Sequence, residues 1–504
     1  MASCDAQSSF ALPIVLSIND TLMMVGQNDG MPLPAQTQLA VIILWIIYCI
    51  GSSLYPSLGP VQVQKSFRQL FNCRPSDLAF LDKYRVFAIV WVMMNHLGSE
   101  GRTDILLRLP SGEDFKKNVH DHPIFGPFLG NSALGVEIFL VLSGILSAVS
   151  WFSKEREPFW PHYWSFEKKR YLRIAPSVVV FIIFAGGPLM SYLMPRFSDS
   201  MTSTCPNVGY LSHIFFFANL REAPTCLGYL WYLGLDFQLY LIVPLLYTLT
   251  FKSIRFFYGI IGSTVVLSMI ARAAHCAFYG VCNNSGVDIP FISFPNQTEL
   301  ELKQIYGGIY QLYGRPHTKC GPFLTAAAFG VFLVFYKRNR RANPEQRIQL
   351  TATASRNLFY TSLTVAITTI YAILPEYWEP EADTNMYNMI YTATFRTVFA
   401  MAIIGMVASR LFGPDTEPVS IWWTVLGKLS FNVFLLHMPI VFVFNKLNYL
   451  QEAEGAIELL VVLPVLVIIS FIAAFFFHIF VESPIADIIR YAENSFIHKE
   501  DKRD

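Results

Sequence analysis

Apolar runs long enough to cross a bilayer recur along this chain from position 39 to about 481, with short polar stretches between them. A hydrocarbon core of about 30 Å takes roughly 17–25 helical residues per crossing. Eleven stretches approach that length: 39–54, 85–99, 132–152, 174–195, 229–250, 256–279, 321–336, 357–374, 388–411, 424–447 and 457–481. The second and seventh are short, which suits tilted, locally thinned or re-entrant segments. The expected fold class is all-α, a polytopic membrane bundle of about eleven transmembrane helices. The runs divide the chain into a short N-terminal extension (1–38), one additional transmembrane helix (39–54), a linker (55–80), a membrane domain (81–486) and a tail (487–504). Nothing before residue 39 has the basic start, apolar middle and small-residue cleavage site of a removable signal peptide, because Asn19 and Asp20 interrupt "ALPIVLSINDTLMMV".

Composition agrees with this pattern. The 504 residues are 53% hydrophobic and only 14% charged, against about 25% charged in soluble domains. The formal net charge of +1 conceals a segregated one. Residues 153–173 hold Lys154, Arg156, Lys168, Lys169, Arg170 and Arg173 against three glutamates, and 337–356 hold six basic residues against one glutamate. The positive-inside rule makes both segments cytosolic. With eleven crossings the N-terminus is then lumenal or extracellular and the tail cytosolic, in the endoplasmic reticulum or another secretory-pathway membrane. Sequons at Asn283 and Asn296 fall in a loop, 280–318, that the charge rule makes lumenal. Of eight cysteines, six (Cys4, Cys205, Cys226, Cys276, Cys282 and Cys320) lie in or beside segments facing that oxidising side. Cys205 with Cys226 would close one loop; spacing leaves the other pairings open, and free cysteines with unused sequons are the rival reading.

No fixed-period repeat and no glycine-rich phosphate loop occurs. The basic stretch 337–356 suits a solvated connector or a mild attraction to anionic lipid better than a nucleic-acid site, so no nucleic-acid partner is expected. The informative residues are ionisable ones inside apolar runs, which are costly in hydrocarbon and generally face a bundle interior. Arg85 and His96 are eleven helical steps apart, about 1,100° of rotation, which returns His96 to within roughly 20° of the same face some 16 Å along the axis. Glu137 in "GVEIFLVLSG", Asp236 in "WYLGLDFQLYLIVP" and His437 in "LGKLSFNVFLLHMP" reach similar depth on the expected topology. Imidazole exchanges a proton near neutral pH, so His96 and His437 are the stronger candidates for chemistry, whereas a buried hydrogen-bonded role competes for Glu137 and Asp236. No close His-x-x-His or Glu-x-x-His pair suggests a metal, and none is expected. At the cytosolic boundary "KKRYLRIAP" gathers Lys168, Lys169, Arg170 and Arg173, with the two arginines a helical turn apart; guanidinium forks suit phosphate, and a topology anchor is the plainer alternative. Arg272 and Arg396 lie deeper and call for buried partners.

Taken together these stretches resemble the acyltransferase 3 superfamily of membrane proteins, in its animal branch related to nose-resistant-to-fluoxetine proteins. The likeness runs from about residue 81 to 486. "LDKYR" followed by ten residues and His96, "GVEIFLVLSG", "RYLRIAP", "WYLGLDFQLY", "LGKLSFNVFLLHMP" and "VESP" follow the family's motifs in order. The resemblance implies a ten-helix core preceded here by one further helix. It also implies transfer of an acyl group from a donor, often acyl-CoA, to a hydroxyl or amine acceptor. It carries roles to Arg85, His96, Glu137, Arg170 and Arg173, and to Asp236 and His437. The chain departs from that branch in lacking its large Cys-rich lumenal domain, and in having Lys319 where an arginine is usual.

The expected mechanism has Arg170, Arg173, Lys169 and Arg85 holding the phosphates of acyl-CoA, a co-substrate rather than a bound cofactor. His96 is then the general base on an acceptor at the lumenal side, and Glu137 or Asp236 orients the imidazole. Ser143 is a minor candidate for an acyl-enzyme nucleophile. Two rivals stand beside this reading: a lipid or small-molecule transporter that uses the same buried charges, and a catalytically silent membrane regulator of a signalling pathway. Membrane lipid, donor and acceptor are the expected partners.

Overall fold

The computed structural model describes residues 30–72, 76–97, 118, 122–131, 133–153, 158–202, 205, 207–221, 226–279, 312, 314–343, 345, 348–373, 385–414 and 419–500. Its described elements are all helical, and each of the eleven apolar runs falls on a helix. The principal helices are α1 (Leu33–Leu54), α2 (Val63–Phe71), α3 (Leu81–His96), α4 (Leu134–Trp151), α5 (Phe159–Ala185), α6 (Trp231–Tyr247), α7 (Ile254–Tyr279), α8 (Pro316–Ala342), α9 (Ala352–Tyr371), α10 (Asn385–Phe412), α11 (Ile421–Phe444), α12 (Ala456–Phe477) and α13 (Ser483–Glu500). Eight helical stretches have the length and apolarity to cross a membrane, and the chain is a multi-pass membrane protein. The runs 85–99, 174–195 and 357–374 are helical in α3, α5 and α9 but are not among those eight. α3 has only 16 residues, and α5 carries the polar sequence "FEKKRYLR".

Two boundaries differ from the sequence expectation. The helix that carries the start of the 174–195 run lies earlier than the run itself, since α5 begins at Phe159 and ends at the Gly186-Gly187-Pro188 break, where the glycines press against Tyr210 and Gln38. The basic stretch expected as a connector from 337 is helical to Ala342, so Arg340 and Arg341 sit in the last turn of α8, where cations complement the helix dipole. Outside the bundle, Lys337 hydrogen-bonds to Asp77 at 2.9 Å and holds that carboxyl below its usual range.

α4 lies at the centre. Fourteen of its 18 residues are buried, so it is apolar all round rather than striped. It packs with α8, α10 and α6, and also with α3, which packs on α11. Gly144 makes the close α4–α8 crossing possible: a Cβ there would run into the Phe323 carbonyl and Ala326. Small residues at such crossings let backbones approach where lipid provides no hydrophobic drive.

Cys205 and Cys226 form a disulfide, and Cys276 is disulfide-bonded. Cys320, a disulfide candidate from its position, is instead a free buried thiol, because it begins the buried face of α8 beside Phe323 and Leu324. Cys4, Cys282, Asn283 and Asn296 lie outside the described residues.

Candidate functional site

Two of the sequence-selected residues meet directly. α3 ends at His96, whose carbonyl accepts from Asn445 Nδ2 at 3.1 Å. Its ring stands 5.5 Å from that of His437 on α11, centroid to centroid. The sequence "HMP" explains how His437 is held. Pro439 cannot donate to the carbonyl four residues back, and that carbonyl, of Leu435, accepts instead from Tyr229 Oη at 2.8 Å. Tyr229 thereby stands edge-on to the imidazole at 5.5 Å. Nδ1 of His437 lies 2.8 Å from the Phe434 carbonyl and 3.2 Å from that of Val433. Carbonyls only accept, so Nδ1 carries the proton and Nε2 the lone pair. That Nε2 is fully buried and makes no hydrogen bond among the described residues.

Both carboxylates are engaged elsewhere, which corrects their expected role beside the imidazole. Glu137 Oε1 accepts from Lys319 Nζ at 2.5 Å and from Arg396, and all three side chains are essentially fully buried. Arg272, also buried, lies over the ring of Phe395 next to this group. α8 and α10 pack on α4 and on each other, and α7 packs on α8 and α10, so these four helices each contribute one ionisable residue to a common interior. Asp236 accepts from Arg170 and from Ser143 Oγ at 2.5 Å, while the Arg170 guanidinium lies 4.0 Å above the ring of Tyr240. Arg170 therefore turns inward to a carboxylate rather than outward to a ligand, and Ser143 serves the same carboxylate. The physical reason is shared: a charge taken out of water needs a counter-charge within reach.

Arg173, one turn beyond Arg170, faces a cavity. With Lys169 it lines this space, of about 630 Å³, between α5 and α13. Among the described residues neither side chain has a hydrogen-bond or ion-pair partner, although Glu482 on the opposite wall lies within electrostatic reach of Arg173. Glu482 belongs to a π-helical turn, His478–Glu482, and accepts from Asn432 Nδ2 at 2.7 Å and His478 Nδ1 at 2.6 Å. Such turns recur at functional sites. Arg85, at the start of α3, pairs with Asp82 and lies within electrostatic reach of Arg173. The protein therefore has an arginine end and, roughly 16 Å along α3, a histidine end.

Sequence reasoning did not find Asp82, Tyr229, Asn432 or the π-helical turn. The charged "VESP" closing a long apolar run was the one available signal. Among the described residues no group of three His, Cys, Asp or Glu side chains is arranged to hold a metal ion.

A family profile described as an acyltransferase domain matches residues 78–479, which takes in α3 through α12 and excludes α1 and α2. The chain is 46% identical over 481 residues to the Regulator of hypoxia-inducible factor 1 of Caenorhabditis elegans, covering 95% of this chain and 94% of that protein. It is 24% identical over 490 residues to the Nose resistant to fluoxetine protein 6 of the same organism, covering 90% of this chain but 55% of that one. No solved structure matches.

Proposed function

The chain belongs to the acyltransferase 3 family, and from that premise we propose that it moves an acyl group from a cytosolic donor such as acyl-CoA to a hydroxyl or amine acceptor at the lumenal side. His96 takes the acceptor's proton as its oxygen or nitrogen attacks the thioester carbonyl. The new bond to the acyl carbon forms, the carbon–sulfur bond breaks, and the imidazolium returns the proton to the departing thiolate. His437 replaces the expected carboxylate as the orienting group: its Nε2 lone pair accepts the second N–H of the His96 imidazolium, the place a carboxylate holds in a triad.

The observation that carries this reading is the His96–His437 apposition, at 5.5 Å between rings, with Nδ1 of His437 committed to backbone carbonyls. That separation suits proton sharing directly or through one water. The donor's phosphates are assigned to Lys169 and Arg173, whose charges face the cavity. Glu137 and Asp236 act as braces, each closing a buried ion pair.

The printed name of the 46% identical relative favours a second reading, in which the chain regulates a hypoxia response and any acyl transfer is secondary or absent. Purified protein incubated with radiolabelled acyl-CoA and a panel of alcohols and amines separates the two. Enzymatic function predicts transfer that His96→Ala abolishes and His437→Ala lowers by about 10²-fold, with folding and expression intact. Arg173→Ala should raise the donor KM and leave the acceptor KM alone. Wild-type protein inert across the panel, or full turnover in His96→Ala, refutes the assignment.

A further inference from the structure

α2 precedes the residues that match the family and is anchored to them. From Gly30 to Ser76 the chain contains no Asp or Glu, while Lys65 and Arg68 stand one turn apart on α2. The helix has three faces. Ser66 and Leu70 are buried, and Ser66 accepts from Ser483 Oγ at 2.6 Å at the start of α13. Phe67 and Phe71 contact each other and meet Phe475 and Trp422 edge-on. Lys65, Arg68, Gln69 and Asn72 take the remaining face, at spacings of three and four residues. Together with Gln62, and with Ser53 from α1, that face borders a cavity of about 300 Å³. Every residue lining it is polar and none is acidic, and among the described residues neither Lys65 nor Arg68 makes a hydrogen bond or ion pair. The walls are fixed by contacts outside the cavity. Ser52 Oγ donates to the Val61 carbonyl at 3.0 Å, with both residues fully buried, which sets the end of α1 against the start of α2. Lys428 on α11 donates to the carbonyls of Gln69, Leu70 and Asn72. Those carbonyls are the negative end of the α2 dipole, so Lys428 offsets the partial charge that would repel an anion beside Asn72. Leu54, Tyr55, Leu58 and Phe67, close by in the chain, are exposed, and exposed apolar and aromatic side chains flanking a basic helix are the composition of a membrane boundary.

We propose that this cavity binds the headgroup of an inositol phospholipid in the leaflet against which α2 lies, the cytosolic one on the topology read from charge. The phosphates meet Lys65 and Arg68, and the ring hydroxyls meet the amides of Gln62, Gln69 and Asn72, which both donate and accept. Two features decide the ligand class. No acidic side chain lines the cavity, so the ammonium of a serine, ethanolamine or choline headgroup finds no counter-charge there. The exposed Leu54, Leu58 and Phe67 offer the acyl chains a surface that a free inositol phosphate does not use. Each cation beside an anionic headgroup contributes about fivefold in affinity. The site is separate from the acyl-transfer centre and lies outside residues 78–479.

Calorimetric titration of the full-length protein in detergent tests this with three probes: dioctanoyl phosphatidylinositol monophosphate, dioctanoyl phosphatidylserine and free inositol bisphosphate. Wild type should bind the inositol lipid more tightly than either of the others, and Lys65→Ala with Arg68→Ala should weaken that binding by about 25-fold. Gln62→Ala with Gln69→Ala, which changes no charge, should weaken the inositol lipid and leave the serine lipid where it was. All four side chains are exposed, so both double variants should melt with wild type. Equal binding of the two lipids makes α2 a diffuse basic surface and overturns the site. Free inositol bisphosphate bound as tightly as the lipid makes it a soluble-anion pocket and overturns the lipid assignment. Unchanged affinity in the variant without the two cations, or a wild type that binds no probe, overturns the proposal as well.

Discussion

Neutralising Glu137 separates a structural role from a catalytic one. Its carboxylate closes two ion pairs, with Lys319 and Arg396, where no partner is more than 1% exposed. At 2.5 Å and an effective permittivity near 20, one such pair is worth about 7 kcal/mol of Coulomb attraction. Most of that offsets the cost of removing both charges from water. Glu137→Gln keeps shape and one acceptor but withdraws the counter-charge from two buried cations, and breaking a buried pair this way costs about 3–5 kcal/mol. Purified protein in nanodiscs, followed by intrinsic fluorescence on heating, should show a melting temperature lower by several degrees. Glu137→Gln with Lys319→Met, which removes one stranded cation as well, should recover part of the loss. A single variant that melts with wild type yet loses acyl transfer would refute the brace argument and return Glu137 to the chemistry. A double variant no more stable than the single one would show that Lys319 is not stabilised through Glu137.

Two further outcomes follow from local geometry. Tyr229→Phe removes the donor that satisfies the Leu435 carbonyl, costing about 1–3 kcal/mol for a buried acceptor left unpaired; it should lower turnover more than donor binding, and unchanged turnover would disconnect Pro439 from the setting of His437. Replacing Cys205 and Cys226 by serine opens a loop of 21 residues in sequence separation and should cost about 3 kcal/mol, read as a lower melting temperature that reductant lowers less in this variant than in wild type, the disulfide of Cys276 remaining in both.

Hydropathy found the helices because a chain in lipid must satisfy its backbone within each crossing. In α1 only 11% of the apolar window is buried in protein, so its residues answer to lipid. α5 answers to a groove instead, and its lysines and arginines belong to a wall that hydropathy reads as a break, which is why the helix starts at Phe159, well before the apolar run. The ionisable residues were visible for the same physical reason, since a charge in an apolar run is expensive. What the pattern could not supply was partners. Glu137 and His96 have similar depth, yet helix adjacency gives Glu137 to Lys319 and Arg396, and gives His96 to His437, 341 positions away. Lys319 illustrates the limit: three residues after Pro316 it reads as an interfacial cation, but three packed helices bury it. Pairing is decided by which helices touch, and in this bundle that depends on small residues such as Gly144, whose contribution is the side chain it lacks.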